Sequence, residues 1–242
     1  MHRPVDIVVP FRLDGAKSRL STALDPDERR KFALAMLRDV LASVRKFGEV
    51  TILTRSGSEL TELMDDGSME DAGQDAKVIP SDLELNDALN AMIEKEALQG
   101  WPRDILIVMA DLALLAKNDI FGILGCPGDV VLCPGRGGGT NMILIRSPRF
   151  RTCYLGMSYV KHRDFARKAG LHLSIYESFR VGCDIDEPED LAEVLLHSQG
   201  EARELLLELG FQLSEKARNS SGGAPIMRCA SWKDLKARQK RK

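Results

Sequence analysis

The sequence predicts a doubly wound, mainly parallel Rossmann-like α/β sheet with helices on both faces. Three observations lead there. Short apolar runs recur at Val5 to Phe11, Val50 to Thr54 and Asp104 to Met109, each of strand length. Segments of helical periodicity fall between them, as in Phe32, Leu34, Ala35, Leu37, Val40 and Leu41. Strands that alternate with helices build a parallel sheet that needs cover on both sides. One strand is expected to run antiparallel at the edge of the sheet.

Each element has its own local cause. Asp25-Pro26-Asp27-Glu28 opens a helix, because Asp25 can cap, Pro26 suits the first turn, and the acids favour the positive end of the dipole. That helix is expected to reach about Phe47. Lys77 to Pro80 forms a short strand, and the acidic, glycine-containing stretch Asp65 to Gln74 a mobile loop. Leu85 to Leu98 is helical and stops at Gly100-Trp101-Pro102. A helix over Lys117 to Leu124 follows, then strands over Asp129 to Cys133 and Asn141 to Ile145. Ser158 to Ala169 and Glu189 to Leu196 are predicted helical, and Leu173 to Tyr176 extended.

Composition narrows the function classes. A chain of 242 residues can bury a full core, and 44% hydrophobic with 29% charged residues is a globular balance. A net charge of −2 argues against a nucleic-acid footprint over the whole protein. Five cysteines with no C-x-x-C pair suggest buried thiols rather than disulfides or zinc. No apolar run approaches a membrane span and no signal peptide is evident, so a cytoplasmic protein is expected. Residues 1–212 are expected to form one domain, and 213–242 a basic, partly flexible tail with a linker-like Asn219 to Gly223.

Four constellations carry candidate chemistry. The first runs from Arg12 to Arg19, where Arg12, Lys17, Arg19, Gly15 and Ser18 follow directly on an apolar strand. At the carboxyl edge of an α/β sheet, such a loop suits a polyanion, most plausibly a nucleotide triphosphate. Neither the Walker spacing nor G-x-G-x-x-G is present, so this is a different phosphate loop; solvated cations leading a helix are the plainer alternative. The second is Asp111, at the end of the most hydrophobic strand, a metal ligand or a helix cap. The third is Asp184-Ile185-Asp186, whose carboxylates at i and i+2 share a side in an extended segment and can face one cation. Capping explains Asp186 but not Asp184. Oxygen ligands of this kind suit Mg²⁺ better than zinc. The fourth is Gly135-Arg136-Gly137-Gly138-Gly139-Thr140-Asn141, either a flexible hairpin or a close backbone approach to an acid or phosphate. His162 is at most a minor anion contact.

Taken together, these motifs resemble the 2-phospho-L-lactate guanylyltransferase family of coenzyme F-420 biosynthesis. The resemblance is carried by Ala16-Lys17-Ser18-Arg19-Leu20, Leu85-Asn86-Asp87-Ala88-Leu89 and Ala110-Asp111-Leu112, and by Gly138-Gly139-Thr140-Asn141 and Asp184-Ile185-Asp186-Glu187-Pro188-Glu189-Asp190-Leu191. It spans about Val5 to Leu209. Four positions depart from the family pattern: Arg12 stands where lysine is usual, Met109 and Ala113 where prolines flank the Ala-Asp-Leu core, and Leu155 where a glycine precedes Ser158.

The resemblance implies the nucleotidyltransferase fold shared with sugar-phosphate and molybdopterin nucleotidylyltransferases, and a Mg²⁺-dependent reaction of GTP with a phosphorylated three-carbon acid. Asp111, Asp184 and Asp186 would hold the metal. Arg12, Lys17, Ser18 and Arg19 would bind the triphosphate, with Lys17 on the departing pyrophosphate and Lys17 and Asp111 the catalytic pair. Ser81 and Asn86 would contact base or ribose. Thr140, Gly156 and Ser158 would take the acceptor. Expected partners are GTP, the small acid and a second copy of the chain, with no membrane, and nucleic acid only through the tail. The alternatives are a sugar-phosphate or molybdopterin-type nucleotidylyltransferase, or a nucleotide-binding protein without catalysis.

Overall fold

The computed structural model describes residues 3–13, 15, 17–55, 76–213 and 226–228. Seven strands build the main sheet: β1 (Val5–Pro10), β2 (Glu49–Thr54), β3 (Ala76–Pro80), β4 (Asp104–Val108), β5 (Val130–Pro134), β6 (Thr140–Ile145) and β7 (Leu173–Ile175). Their spatial order is β3-β2-β1-β4-β6-β5-β7. All pairings are parallel except those of β6, which runs against both β4 and β5. The antiparallel strand expected at an edge is therefore inside the sheet. Two causes put it there. A short glycine connection between β5 and β6 can only join antiparallel neighbours. Every residue of β6 is buried, so it needs a strand on each side.

Helices cover both faces. Helix α1 (Pro26–Val44) sets Ala33, Leu37, Val40, Leu41 and Val44 against Ile7, Val9 and Ile52, joined by Ile120 and Ile123 of α3 (Lys117–Gly125). Helix α2 (Leu85–Leu98) packs Ala88, Leu89 and Ile93 on the other face with Ile105, Ile107 and Ile143, and Ala166 of α4 (Ser158–Lys168) joins them. Burial of each such aliphatic side chain is worth about 1.5–3 kcal/mol. The predicted start of α1 holds: Asp25 Oδ1 accepts from the Glu28 N–H at 2.9 Å while Glu28 Oε2 accepts from the Asp25 N–H at 3.0 Å, a closed capping box.

Several short elements were not expected: 3-10 turns at Ser18–Thr22 and Arg136–Gly138, the one-turn α5 (Phe179–Gly182), α7 (Glu201–Glu208) and the hairpin β8–β9 (Phe211–Leu213 with Ile226–Arg228). The helix expected from Glu189 begins instead at Leu191 as α6 (Leu191–His197), after a 3-10 turn at Pro188–Asp190. Four residues assigned to the tail, Leu213 and Ile226 to Arg228, thus belong to the β8–β9 hairpin, and Arg228 pairs with Glu28. The acidic loop and the rest of the tail lie outside the described residues, as does Cys229. Of the other cysteines, Cys133 and Cys183 are buried and Cys126 and Cys153 half-buried, all four as free thiols. Among the described residues no helix is long and apolar enough to cross a membrane.

Because β6 is reversed, its first residues sit at the sheet edge where β1, β2, β3 and β4 end. The sequence-remote loops after those strands and before β6 therefore meet on one rim, at the reversal of strand order between β1 and β4.

Candidate active site

The loop after β1 is shaped by two left-handed residues, Gly15 at φ +66° and Lys17 at φ 54°, ψ 43°. A lysine in that region carries strain of the kind that functional sites retain. The Ser18–Thr22 turn then anchors through fully buried Leu20, whose N–H donates to the Lys17 carbonyl at 3.0 Å. The Lys17 side chain is only 12% exposed. Its Nζ lies 2.9 Å from Asp111 Oδ2 and 2.7 Å from Asp186 Oδ1. Burial by itself would lower the pKa of this ammonium. The two carboxylates outweigh burial and hold it above the ordinary lysine value.

The acids converge from two segments. Asp111 follows β4, and its carbonyl accepts from the Ile185 N–H at 3.2 Å, which fastens the Asp184–Asp186 segment to the end of that strand. Asp186 faces Lys17, and Arg19 Nη1 stands 3.6 Å from its other oxygen. Asp184 Oδ1 takes the Asn141 amide at 3.2 Å. Burial pushes the Asp184 pKa up; the Asn141 bond opposes this, and the negative charges of Asp111 and Asp186 add to it. Asp111 Oδ1 is buried and has no hydrogen-bond partner. Among the described residues no group of three or more His, Cys, Asp or Glu side chains is arranged to hold a metal ion, and the Lys17 ammonium lies between Asp111 and Asp186. An orphaned carboxylate oxygen beside a second desolvated carboxylate nevertheless fits a hard, oxygen-seeking cation in an open site.

A cavity of about 470 Å³ opens beside these groups, within the usual range for small-molecule sites. Arg12, Lys17, Ser18, Arg19, Asp111, Asp186 and Ser81 all line it, alongside Leu53, Leu83, Leu85 and Ala88. Ser81 is held by its N–H to the Thr54 carbonyl at 2.8 Å. Arg55 also lines the cavity, paired with Glu84, and sequence reading missed it. Its one signal was its place directly after β2, on the rim where ligands bind. Asn86, expected at base or ribose, is outside the cavity wall. Its Oδ1 accepts from the Tyr154 N–H at 2.6 Å and ties α2 to the segment before α4.

Thr140, Ser158 and Gly156 gather on the far side of the β6 start, also outside that cavity wall. Ser158 Oγ lies 3.1 Å from Thr140 Oγ1, and both residues are buried, while Gly156 is exposed at φ +60°. His162 sets their chemistry. Its Nε2 accepts from the Cys153 N–H at 2.7 Å, which leaves the proton on Nδ1, 3.0 Å from Thr140 Oγ1. Desolvation lowers its pKa to about 4, so it is neutral. The expected anion contact is corrected: both ring nitrogens are spent inside the protein. The glycine loop is a closed hairpin, with Gly135 N–H on the Gly139 carbonyl at 3.0 Å. A Cβ at Gly135 would collide with the Asn141 carboxamide, which also donates to the Val181 carbonyl at 2.7 Å. Asn141 is thus a strut for Asp184 rather than a free polar group.

Residues 5–227 match the family model described as "Guanylyl transferase CofC like". A 2-phospho-L-lactate guanylyltransferase from Methanothrix thermoacetophila is 50% identical over 89% of this chain and 94% of its own length. The enzyme of that name from Methanosarcina acetivorans is 41% identical over 82% of this chain and 90% of its own. Among solved structures, a protein from Desulfovibrio desulfuricans G20, described provisionally as a nucleotide-diphospho-sugar transferase, aligns with a TM-score of 0.66 at 16% identity, covering 84% of this chain and 93% of that one. A CMP:2-keto-3-deoxy-manno-octonic acid synthetase complexed with CTP aligns at 0.51 and 14%, covering 79% and 96%. These structural likenesses are those of a shared fold.

Proposed function

The chain belongs to the guanylyl transferase CofC-like family of nucleotidyltransferases, and on that premise we propose that it condenses GTP with 2-phospho-L-lactate, or a close phosphorylated three-carbon acid, in a Mg²⁺-dependent reaction. The products are lactyl-2-diphospho-5'-guanosine and pyrophosphate. Under this reading the enzyme is a cytoplasmic homodimer of coenzyme F-420 biosynthesis. The observation that carries it is the meeting of Lys17, Asp111 and Asp186 on the wall of a nucleotide-sized cavity.

The chemistry needs little from the protein beyond placement and charge. A phosphate oxygen of the acceptor is already anionic, so no general base is required. It bonds to the α-phosphorus of GTP while the α–β bridging P–O bond breaks and its electron pair leaves with pyrophosphate. Arg12, Ser18 and Arg19 hold the triphosphate, and Lys17 stabilises the charge that grows on the leaving group. Asp111, Asp184 and Asp186 would hold Mg²⁺, which supplies charge neutralisation between two polyanions. Ser81 contacts base or ribose. Thr140, Ser158 and the Gly156 backbone receive the acceptor, and the neutral His162 fixes the Thr140 hydroxyl through its Nδ1–H.

Incubating the full-length protein and MgCl₂ with each nucleoside triphosphate in turn tests this. The acceptors are 2-phospho-L-lactate, phosphoenolpyruvate, 3-phosphoglycerate and glucose 1-phosphate, with products weighed by mass spectrometry. A guanosine diphosphate ester of a three-carbon acid is expected. Turnover of the hexose phosphate alone, or GTP binding without pyrophosphate release, overturns the proposal.

A further inference from the structure

Arg136 in the glycine loop and Asp190 at the end of the Pro188–Asp190 turn are 54 positions apart and meet outside the cavity wall. Arg136 Nη2 is 2.7 Å from Asp190 Oδ1, and 3.1 Å from both the Asp184 carbonyl oxygen and Cys183 Sγ. The other carboxylate oxygen, Asp190 Oδ2, accepts from the N–H groups of Asp186 at 2.9 Å and Glu187 at 2.8 Å. Asp190 is 8% exposed, so its carboxylate is shielded where it takes these charge-assisted bonds, while the Arg136 guanidinium closes over it from a half-exposed position.

Helix capping accounts for the Glu187 bond. It does not account for the second N–H, that of Asp186, or for a guanidinium that grips Asp190 from behind and the Asp184 carbonyl together. We propose that Arg136 and Asp190 are positioning residues that set the backbone of the Asp184–Asp186 segment, so that both aspartates present their carboxylates to a divalent cation. This rests on the reading above that Asp111, Asp184 and Asp186 hold Mg²⁺. Groups that orient metal ligands from outside change metal affinity by about 10–100-fold when removed. Arg136 also belongs to the hairpin that leads into Thr140, so one clamp joins the acceptor side of the site to its metal side.

The test uses the full-length, nucleotide-free protein titrated with Mn²⁺ alone and followed by electron paramagnetic resonance, with thermal unfolding as a second readout. Asp190→Asn places an NH₂ against a donor on one side or the other, Arg136 or the Asp186 N–H. Arg136→Gln removes the clamp, and Arg136→Lys keeps the charge but not the planar fork. Asp190→Asn and Arg136→Gln are expected to weaken Mn²⁺ binding about 10–100-fold, with Arg136→Lys between them and wild type, while all melt well above the assay temperature. Unchanged Mn²⁺ affinity in these variants, beside a weakened Asp184→Asn control, overturns the positioning role and leaves the metal reading intact. Equal affinity in Asp184→Asn and wild type removes the metal reading and the proposal with it. Should Asp190→Asn not fold, the two Arg136 variants decide.

Discussion

Lys17 donates to Asp111 at 2.9 Å across 94 positions of sequence, and the same ammonium reaches Asp186 at 2.7 Å. One cation thus holds the loop after β1 against the ends of two acidic segments. Replacing Lys17 with Met removes that cation and, on the proposed reading, the stabilisation of the leaving group with it. Turnover is expected to fall roughly 10²- to 10³-fold, with a far-UV spectrum like that of wild type. A wild-type rate of pyrophosphate release would remove Lys17 from the chemistry.

Asp184 pays for its position in the ionised state, because burial and its acidic neighbours both raise its pKa. Asp184→Asn is expected to lose roughly 10²- to 10³-fold in activity while its melting temperature stays level or rises. The pairing of lower activity with undiminished stability marks a group kept for function. A variant that lost stability and kept full activity would reverse the assignment.

Thr140 and Ser158 are expected to act on the acceptor alone. Thr140→Val or Ser158→Ala removes one buried hydroxyl, a loss of about 1.4–2.8 kcal/mol, or about 10–100-fold in the KM for the acid. The KM for GTP should move less than threefold (~0.6 kcal/mol). Steady-state kinetics with each substrate varied in turn decides it; equal changes in both constants would contradict the division of the site.

Asp39, on α1, accepts from the Glu201 and Ala202 N–H groups at 2.7 and 3.1 Å and so caps α7. Burial raises its pKa to about 6 from 3.8, against those hydrogen bonds and with the help of Glu201 and Glu204; Arg38 pairs with Glu201 close by. The folded pKa exceeds the unfolded one, so the native state binds more protons between pH 3.8 and 6. The Asp39 contribution to stability therefore falls as pH rises through that window and is flat above it. Melting curves of wild type and Asp39→Asn should diverge in slope across pH 4 to 6 and run parallel above about 7. Parallel behaviour throughout would assign the cap an ordinary carboxyl.

Arg146 serves the rim opposite the site. Its guanidinium donates to the carbonyls of Cys126, Leu124 and Gly128 at 2.7, 2.8 and 3.2 Å and stands 3.5 Å from Asp104. Arg146→Ala leaves the three carbonyls without this donor and Asp104 with Arg3 as its ion-pair partner, at an expected cost of about 3–5 kcal/mol. Chemical denaturation should show the loss, while kcat/KM per folded molecule stays near wild type. A stable variant with a damaged site would contradict this separation.

What the sequence made legible was local. Asp25, Pro26 and Glu28 announce a helix start within four residues, and the structure closes that box. The spacing of Asp184 and Asp186 marked both as chemistry. It could not show that Asp186 turns to Lys17 while Asp184 turns to Asn141, because those partners arrive from other strands. The apolar pattern of β6 fits an edge or a centre equally well, and only the close pairing on both flanks decides. His162 looks the same in sequence whether its nitrogens face an anion or Cys153 and Thr140. Helix α7 is short and weakly patterned, and it depends on a cap that comes from Asp39, 162 positions away.

The reversed direction of β6 lets one compact hairpin deliver Thr140 to the working rim, where a co-directional strand would have required a crossover of a dozen or more residues. On the proposed reading, part of the acceptor site is thereby carried by a small, graftable module. Exchanging the segment from β5 to β6 among relatives offers a test of that acid preference with the lining of the main cavity left as it stands.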